Sequence, residues 1–130
     1  MSSTITIVGN VTRDPELKFL NNGSAACKFS VAVNRKRKDK EDEVSFFTCD
    51  AYGEIAENCA TSLTKGTRVV VHGSLVQRDW EKDDGTKAYV TEIRVEAVGP
   101  DLRFATALVT KSQRAKEQPR AYEGVDDYAF

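Results

Sequence analysis

Arg68-Val-Val-Val-His-Gly-Ser-Leu-Val-Gln-Arg-Asp-Trp-Glu-Lys82 leads into Asp83-Asp84-Gly85 and out through Lys87-Ala-Tyr-Val-Thr-Glu-Ile-Arg-Val-Glu-Ala-Val98. Two extended runs around an Asp-Gly pair form a β-hairpin. Toward its tip the flanks become Gln77-Arg78-Asp79 and Glu81-Lys82, so the arm outruns the core. The tip nevertheless carries Trp80, the only tryptophan of the chain. The sequence therefore predicts a long two-stranded arm that holds arginine and a large aromatic ring out in solvent.

Outward from the arm, the rest of the body reads as strands and one helix. Thr4 to Val11 alternates Ile5, Ile7, Gly9 and Val11 with polar neighbours, and Glu16 to Leu20 resumes an extended pattern before the turn Asn21-Asn22-Gly23. From Ala25 to Asn34, Cys27, Phe29, Val31 and Val33 share one face, and Lys28, Ser30, Ala32 and Asn34 the other. Val44 to Tyr52 places Ser45, Phe47, Cys49 and Ala51 on a core-like face. Its opposite face is a polar stripe with aromatics, Val44, Phe46, Thr48, Asp50 and Tyr52. Ile55, Cys59 and Leu63 recur every four residues beside Ala56 and Ala60, which makes Glu54 to Leu63 an amphipathic helix that Lys65-Gly66 ends. Three strands, a short helix and a long hairpin predict an all-β domain, a five-stranded Greek-key barrel of the oligonucleotide/oligosaccharide-binding (OB) fold. The helix plugs the barrel between the third and fourth strands, and the last two strands form the arm.

Composition bounds the function. A chain of 130 residues is one domain with a modest core and room for a tail. No apolar run is long enough to span a membrane, no signal peptide precedes the first strand, and a cytoplasmic location is expected. Cys27, Cys49 and Cys59 lack the spacing of a zinc site and read as buried, reduced thiols. No cofactor is implied. One histidine on a strand, His72, and no activated nucleophile pair argue against an enzyme.

Nineteen basic against twenty acidic residues give a net charge of −1, so charge alone does not point to nucleic acid. Its distribution says more. Arg35-Lys-Arg-Lys38 is a compact basic run, although Asp39, Glu41, Asp42 and Glu43 follow at once. An exposed arm with arginine and tryptophan suits a flat, negatively charged partner, and single-stranded nucleic acid is both. The other reading of the arm is a protein-interaction module in which Trp80 is the anchor.

Val8-Gly-Asn-Val-Thr-Arg-Asp-Pro-Glu-Leu-Lys18, Ala51-Tyr-Gly-Glu-Ile-Ala-Glu57, Leu63-Thr-Lys-Gly-Thr-Arg-Val-Val-Val-His-Gly73 and Gln77-Arg-Asp-Trp80 follow one another at spacings that resemble bacterial single-stranded DNA-binding proteins. The likeness spans residues 4–104, and Gly99-Pro-Asp-Leu-Arg-Phe-Ala-Thr106 is especially similar to actinobacterial members. It implies non-enzymatic, largely sequence-independent binding and protection of single-stranded DNA during replication, recombination and repair, in the cytoplasm and on the nucleoid. The family's stacking aromatics fall on Phe46, Tyr52 and Trp80. Lys28, Arg35, Lys36, Arg37, Lys38 and Arg78 are then the phosphate-neutralising side chains. The aromatic that some members carry after their second strand is missing from Arg35 to Lys38, so fewer stacked bases are expected. Each position also has a structural explanation: Phe46 as core, Tyr52 as a corner residue, Trp80 as a subunit contact, and the basic run as a solvated loop.

The resemblance further implies a homotetramer, with residues 1–111 as the binding and oligomerisation domain. Leu102, Phe104 and Leu108 stay apolar beyond the barrel, as an extra strand against a neighbouring subunit or against its own barrel would require. Residues 112–130 turn to Lys, Ser, Gln, Arg, Glu and Pro, a disordered linker ending in Glu123-Gly-Val-Asp-Asp-Tyr-Ala-Phe130. That end is similar to the family's acidic tip, which implies that Asp126, Asp127 and Phe130 dock replication, recombination and repair proteins.

Overall fold

The computed structural model describes residues 2–112; Met1 and residues 113–130, with the tip residues Asp126, Asp127 and Phe130, lie outside the described part. The elements are β1 (Thr4–Val11), β2 (Glu16–Phe19), β3 (Ala25–Arg35), β4 (Glu43–Tyr52), α1 (Glu54–Ser62), β5 (Arg68–Glu81) and β6 (Lys87–Pro100). Strand order is β1-β5-β6-β4-β3-β2, and a second pairing of β1 with β3 closes five strands into a ring. The five expected strands are all present. β2, where the sequence reads as extended again, adds a short sixth strand along the first half of β3.

Alternation fixes which side of each strand faces inward. Ile7, Val11, Cys27, Phe29, Val31, Cys49, Ala51, Val69, Val71, Ile93 and Val95 are buried together, and Val33 and Phe47 pack against them. Helix α1 contributes Ala56 and Cys59, and Leu63 at its C-terminal end joins them. All three cysteines are buried thiols, and burial pushes Cys49 and Cys59 up to about 12, so they are inert packing groups.

Two glycines permit the tight closure. A Cβ on Gly9 would stand 2.3 Å from the Ala32 carbonyl oxygen, and one on Gly73 would stand 2.1 Å from that of Arg94. Gly73 also sits where the β5–β6 register shifts, a bulge that bends the hairpin as it leaves the barrel. Beyond it the two strands pair without a break from Gly73↔Val95 to Glu81↔Lys87. At the tip Lys82 donates its amide to the Thr86 carbonyl at 2.7 Å, and Gly85 takes the left-handed conformation that the turn requires (φ 85°).

Residues 101–112 contain no strand, so within the single chain the expected additional strand is not formed, either alone or against its own barrel. Asp101 ends the ladder: its carboxylate accepts from Arg68 Nε at 2.6 Å and from the Arg103 amide at 3.1 Å, a turn that carries the chain off the sheet. The segment returns toward the start of α1, where Ser112 Oγ donates to the Glu54 carboxylate. Leu102, Phe104, Leu108 and Val109 remain exposed along it.

Candidate nucleic-acid interface

The register of five strands builds one continuous outer face. On β4 it carries Phe46, Thr48, Asp50 and Tyr52, the stripe expected from alternation. On β3, Lys28 lies opposite Asp50, Ser30 opposite Thr48 and Ala32 opposite Phe46. On β2, Glu16 lies opposite Lys28 and Lys18 opposite Ala26. On the other flank, the parallel pairing of β4 with β6 sets Glu92 beside Thr48 and Arg94 beside Asp50. The antiparallel β5–β6 ladder then carries the same face outward through Val76, Arg78 and Trp80. Phe46, Tyr52 and Trp80 thus share a face although β4 and the arm tip are far apart in sequence.

None of the three rings is core. Phe46 is 69% exposed, Trp80 52% and Tyr52 44%, while Phe47 packs inward as its parity demands. Arg94 stacks over the Tyr52 ring at 5.6 Å, a cation–π contact that steadies both side chains.

Between Tyr52 and the arm lies a charged network with a buried floor. Asp50 is 9% exposed and Glu92 6%. Arg78 donates to the Glu92 carboxylate, and Lys28 Nζ stands 3.9 Å from Asp50 Oδ1. Burial first, and then its hydrogen bond with Glu92, push Asp50 up to about 6. The same hydrogen bond first, and after it that of Arg78, hold Glu92 below its ordinary value. The pair therefore shares a proton more readily than two separate carboxyls would.

The basic run is partly neutralised where it stands. Arg35, the last residue of β3, pairs with Glu43 at 3.0 Å, and Arg37 approaches the same carboxylate at 3.9 Å. Lys36 and Lys38 make no ion pair among the described residues. No group of acidic, histidine or cysteine side chains among the described residues could hold a metal ion, and no described helix is long and apolar enough to cross a membrane. His72 lies on β5, where its ring meets Thr6 Oγ1 at 2.7 Å and Glu96 at 3.7 Å, a structural contact between strands.

The chain matches the single-strand binding protein family over residues 2–101. It belongs to that family. It is 46% identical over 119 residues to the single-stranded DNA-binding protein of Mycobacterium leprae (strain TN), which covers 87% of this chain and 71% of that one. The like-named protein of Mycolicibacterium smegmatis is 45% identical over 119 residues, 87% of this chain and 72% of that one. That of Paenarthrobacter aurescens is 43% identical over 122 residues, 89% of this chain and 71% of that one.

The single-strand binding family match takes in every strand and the helix, and with them the whole outer face. Of the side chains expected on this face, the register brings Lys28, Phe46, Tyr52, Arg78 and Trp80 together. Arg35 to Lys38 stand apart, at the end of β3 and in the loop after it. Sequence reasoning missed Lys18 and Arg94. Lys18 was legible, since it alternates with Leu17 and Phe19 in β2. Arg94 was half legible: it alternates with Ile93 and Val95, but its place beside Asp50 depends on a parallel pairing between distant strands.

Proposed function

We propose that this chain binds and protects single-stranded DNA, largely without regard to sequence and without catalysing a reaction on it. Bases stack on Phe46, Tyr52 and Trp80, each worth about 1–3 kcal/mol and each tolerant of base identity because every base has a π-face. Lys28, Arg35, Lys36, Arg37, Lys38 and Arg78, joined by Lys18 and Arg94, neutralise phosphates along the path. The observation that supports this reading is the register that sets three exposed rings on one face with Lys18, Lys28, Arg78 and Arg94.

One such domain covers only about 4–16 nucleotides, so high affinity calls for several domains on one strand. Residues 1–111 are read as that binding and oligomerisation domain, and the functional unit as a homotetramer. Residues 101–111, whose Leu102, Phe104, Leu108 and Val109 are exposed among the described residues, pair with a neighbouring subunit. Deleting them is expected to weaken assembly, and a tetramer unchanged by light scattering would reject that role. Residues 112–130 serve as linker and tip, with Asp126, Asp127 and Phe130 recruiting replication, recombination and repair proteins to DNA in the cytoplasm and nucleoid.

The test is a Trp80 fluorescence titration with oligo-dT and oligo-rU at two salt concentrations. Salt-dependent quenching, stronger for dT, is expected. Absence of both quenching and binding would move the chain to the protein-interaction class, with Trp80 as a contact for a partner protein.

A further inference from the structure

Beside Tyr52 the outer face dips into a cleft of about 240 Å³. Asp50 and Tyr52 line it together with Lys18, Lys28 and Arg78. It is smaller than the roughly 300–1,000 Å³ of sites for drug-sized molecules, a size for one base rather than a whole nucleotide. An aromatic ring and cations line it, together with the mostly buried carboxylate of Asp50.

The carboxylate is short of donors. Lys28 Nζ, at 3.9 Å, attracts Asp50 but is beyond hydrogen-bond reach. Its other neighbour, Glu92, is itself an acid, and Arg78 is committed to Glu92. Arg94, across the β4–β6 ladder, is turned over the Tyr52 ring. Glu16 and Lys18 reach the same cleft from β2. Once ionised, Asp50 thus presents an acceptor on the cleft, with Lys28 as its ion-pair partner and room for a donor from a ligand.

We propose that this cleft is a base-reading subsite, in which one base of the bound strand lies against Tyr52 with its exocyclic amino group on the Asp50 carboxylate, so that this position favours cytosine over thymine. Cytosine offers the N4 amino donor that a carboxylate accepts, whereas thymine sets its O4 acceptor against the acid. The inference rests on the single-strand-binding reading and adds to it one position that is not indifferent to sequence. Stacking on Phe46 and Trp80 remains tolerant, since neither ring has a buried acid beside it in this cleft.

The experiment compares anisotropy titrations of the full chain and of Asp50→Asn with two mixed-sequence strands that differ only in dC against dT at every third position. Asparagine offers both a donor and an acceptor, so it can meet either base. The preference for the dC strand is expected to be on the order of tenfold greater in the wild-type chain than in the variant. A preference equal in the two proteins would overturn the subsite and leave strand binding standing. Failure of the wild-type chain to bind either strand would overturn both. A second measurement needs no variant. Asp50 loses its proton near pH 6, so the wild-type dC preference should grow between about pH 5 and about pH 8, and a flat profile would also overturn the subsite.

Discussion

Arg78 and Glu92 join the two strands of the arm across its outer face, a guanidinium mostly in water holding a carboxylate that is almost wholly out of it. The arrangement is lopsided. Glu92 depends on its partner far more than Arg78 does, because an unpaired buried charge is costly whereas an exposed arginine is readily hydrated. Arg78→Ala is therefore expected to destabilise the fold, and adding Glu92→Gln to recover much of that loss. Urea midpoints of the four proteins in the double-mutant cycle measure this, and strictly additive losses would contradict it.

Asp50 sets a dependence on pH with a definite sign. Its folded value is raised from 3.8 to about 6, so the folded state holds the proton more tightly than the unfolded chain does. That stabilisation is complete at low pH and is lost as pH rises through about 6, which leaves the ionised group unfavourable by on the order of 1–3 kcal/mol at neutral pH. Glu92 is shifted the other way, and its contribution fades as pH falls. Asp50→Asn should raise the melting temperature near pH 8 and lose that advantage near pH 5. A gain that does not vary with pH would show that Asp50 does not titrate in this range.

Truncating the exposed rings should separate binding from folding. Trp80→Ala and Phe46→Ala are each expected to weaken oligo-dT binding by about 1–3 kcal/mol. Both rings lie outside the core, so unfolding midpoints should move by no more than about 0.5 kcal/mol. Anisotropy and thermal melting on the same samples make the comparison, and a large loss of stability would return these residues to a structural role.

Arg94 supplies a test that composition did not suggest. If it meets a phosphate, Arg94→Ala should make the log-log salt slope of binding shallower by about 0.7, the share of one contact on a single strand. A slope unchanged within error would confine Arg94 to the Tyr52 ring.

The sequence was most legible where neighbouring residues constrain each other. Phe46 and Phe47 are adjacent in a strand, so one had to face outward, and the polar stripe around Phe46 decided which. The four-residue recurrence of Ile55, Cys59 and Leu63 gave the helix, which the structure places at Glu54–Ser62. Asp84-Gly85 gave the arm. Contacts between strands distant in the chain were not legible: the parallel setting of β4 on β6 brings Arg94 to Asp50, and no local pattern encodes it. The pairing of Arg78 with Glu92 was hidden for another reason: it is diagonal, Val90 being the direct partner of Arg78 and Val76 that of Glu92, so alternation alone does not give it. After Pro100 the apolar residues do not form a strand on their own barrel, because Arg68 and Arg103 hold Asp101 in a turn off the sheet.

The long partnership of β1 also imposes an order of assembly. Thr4 to Asn10 find their seven partners on Ser74 to Arg68, most of the domain away along the chain, whereas β3 and β4 are joined by a short loop and meet over ten. Closing the shorter loop first costs less chain entropy, so β3 and β4 should acquire protected amides early in refolding and β1 late, as pulsed hydrogen exchange would resolve. A chain growing on the ribosome would then carry its first-made strand unmatched along that edge until β5 has emerged. The oldest part of the polypeptide waits longest for its partner.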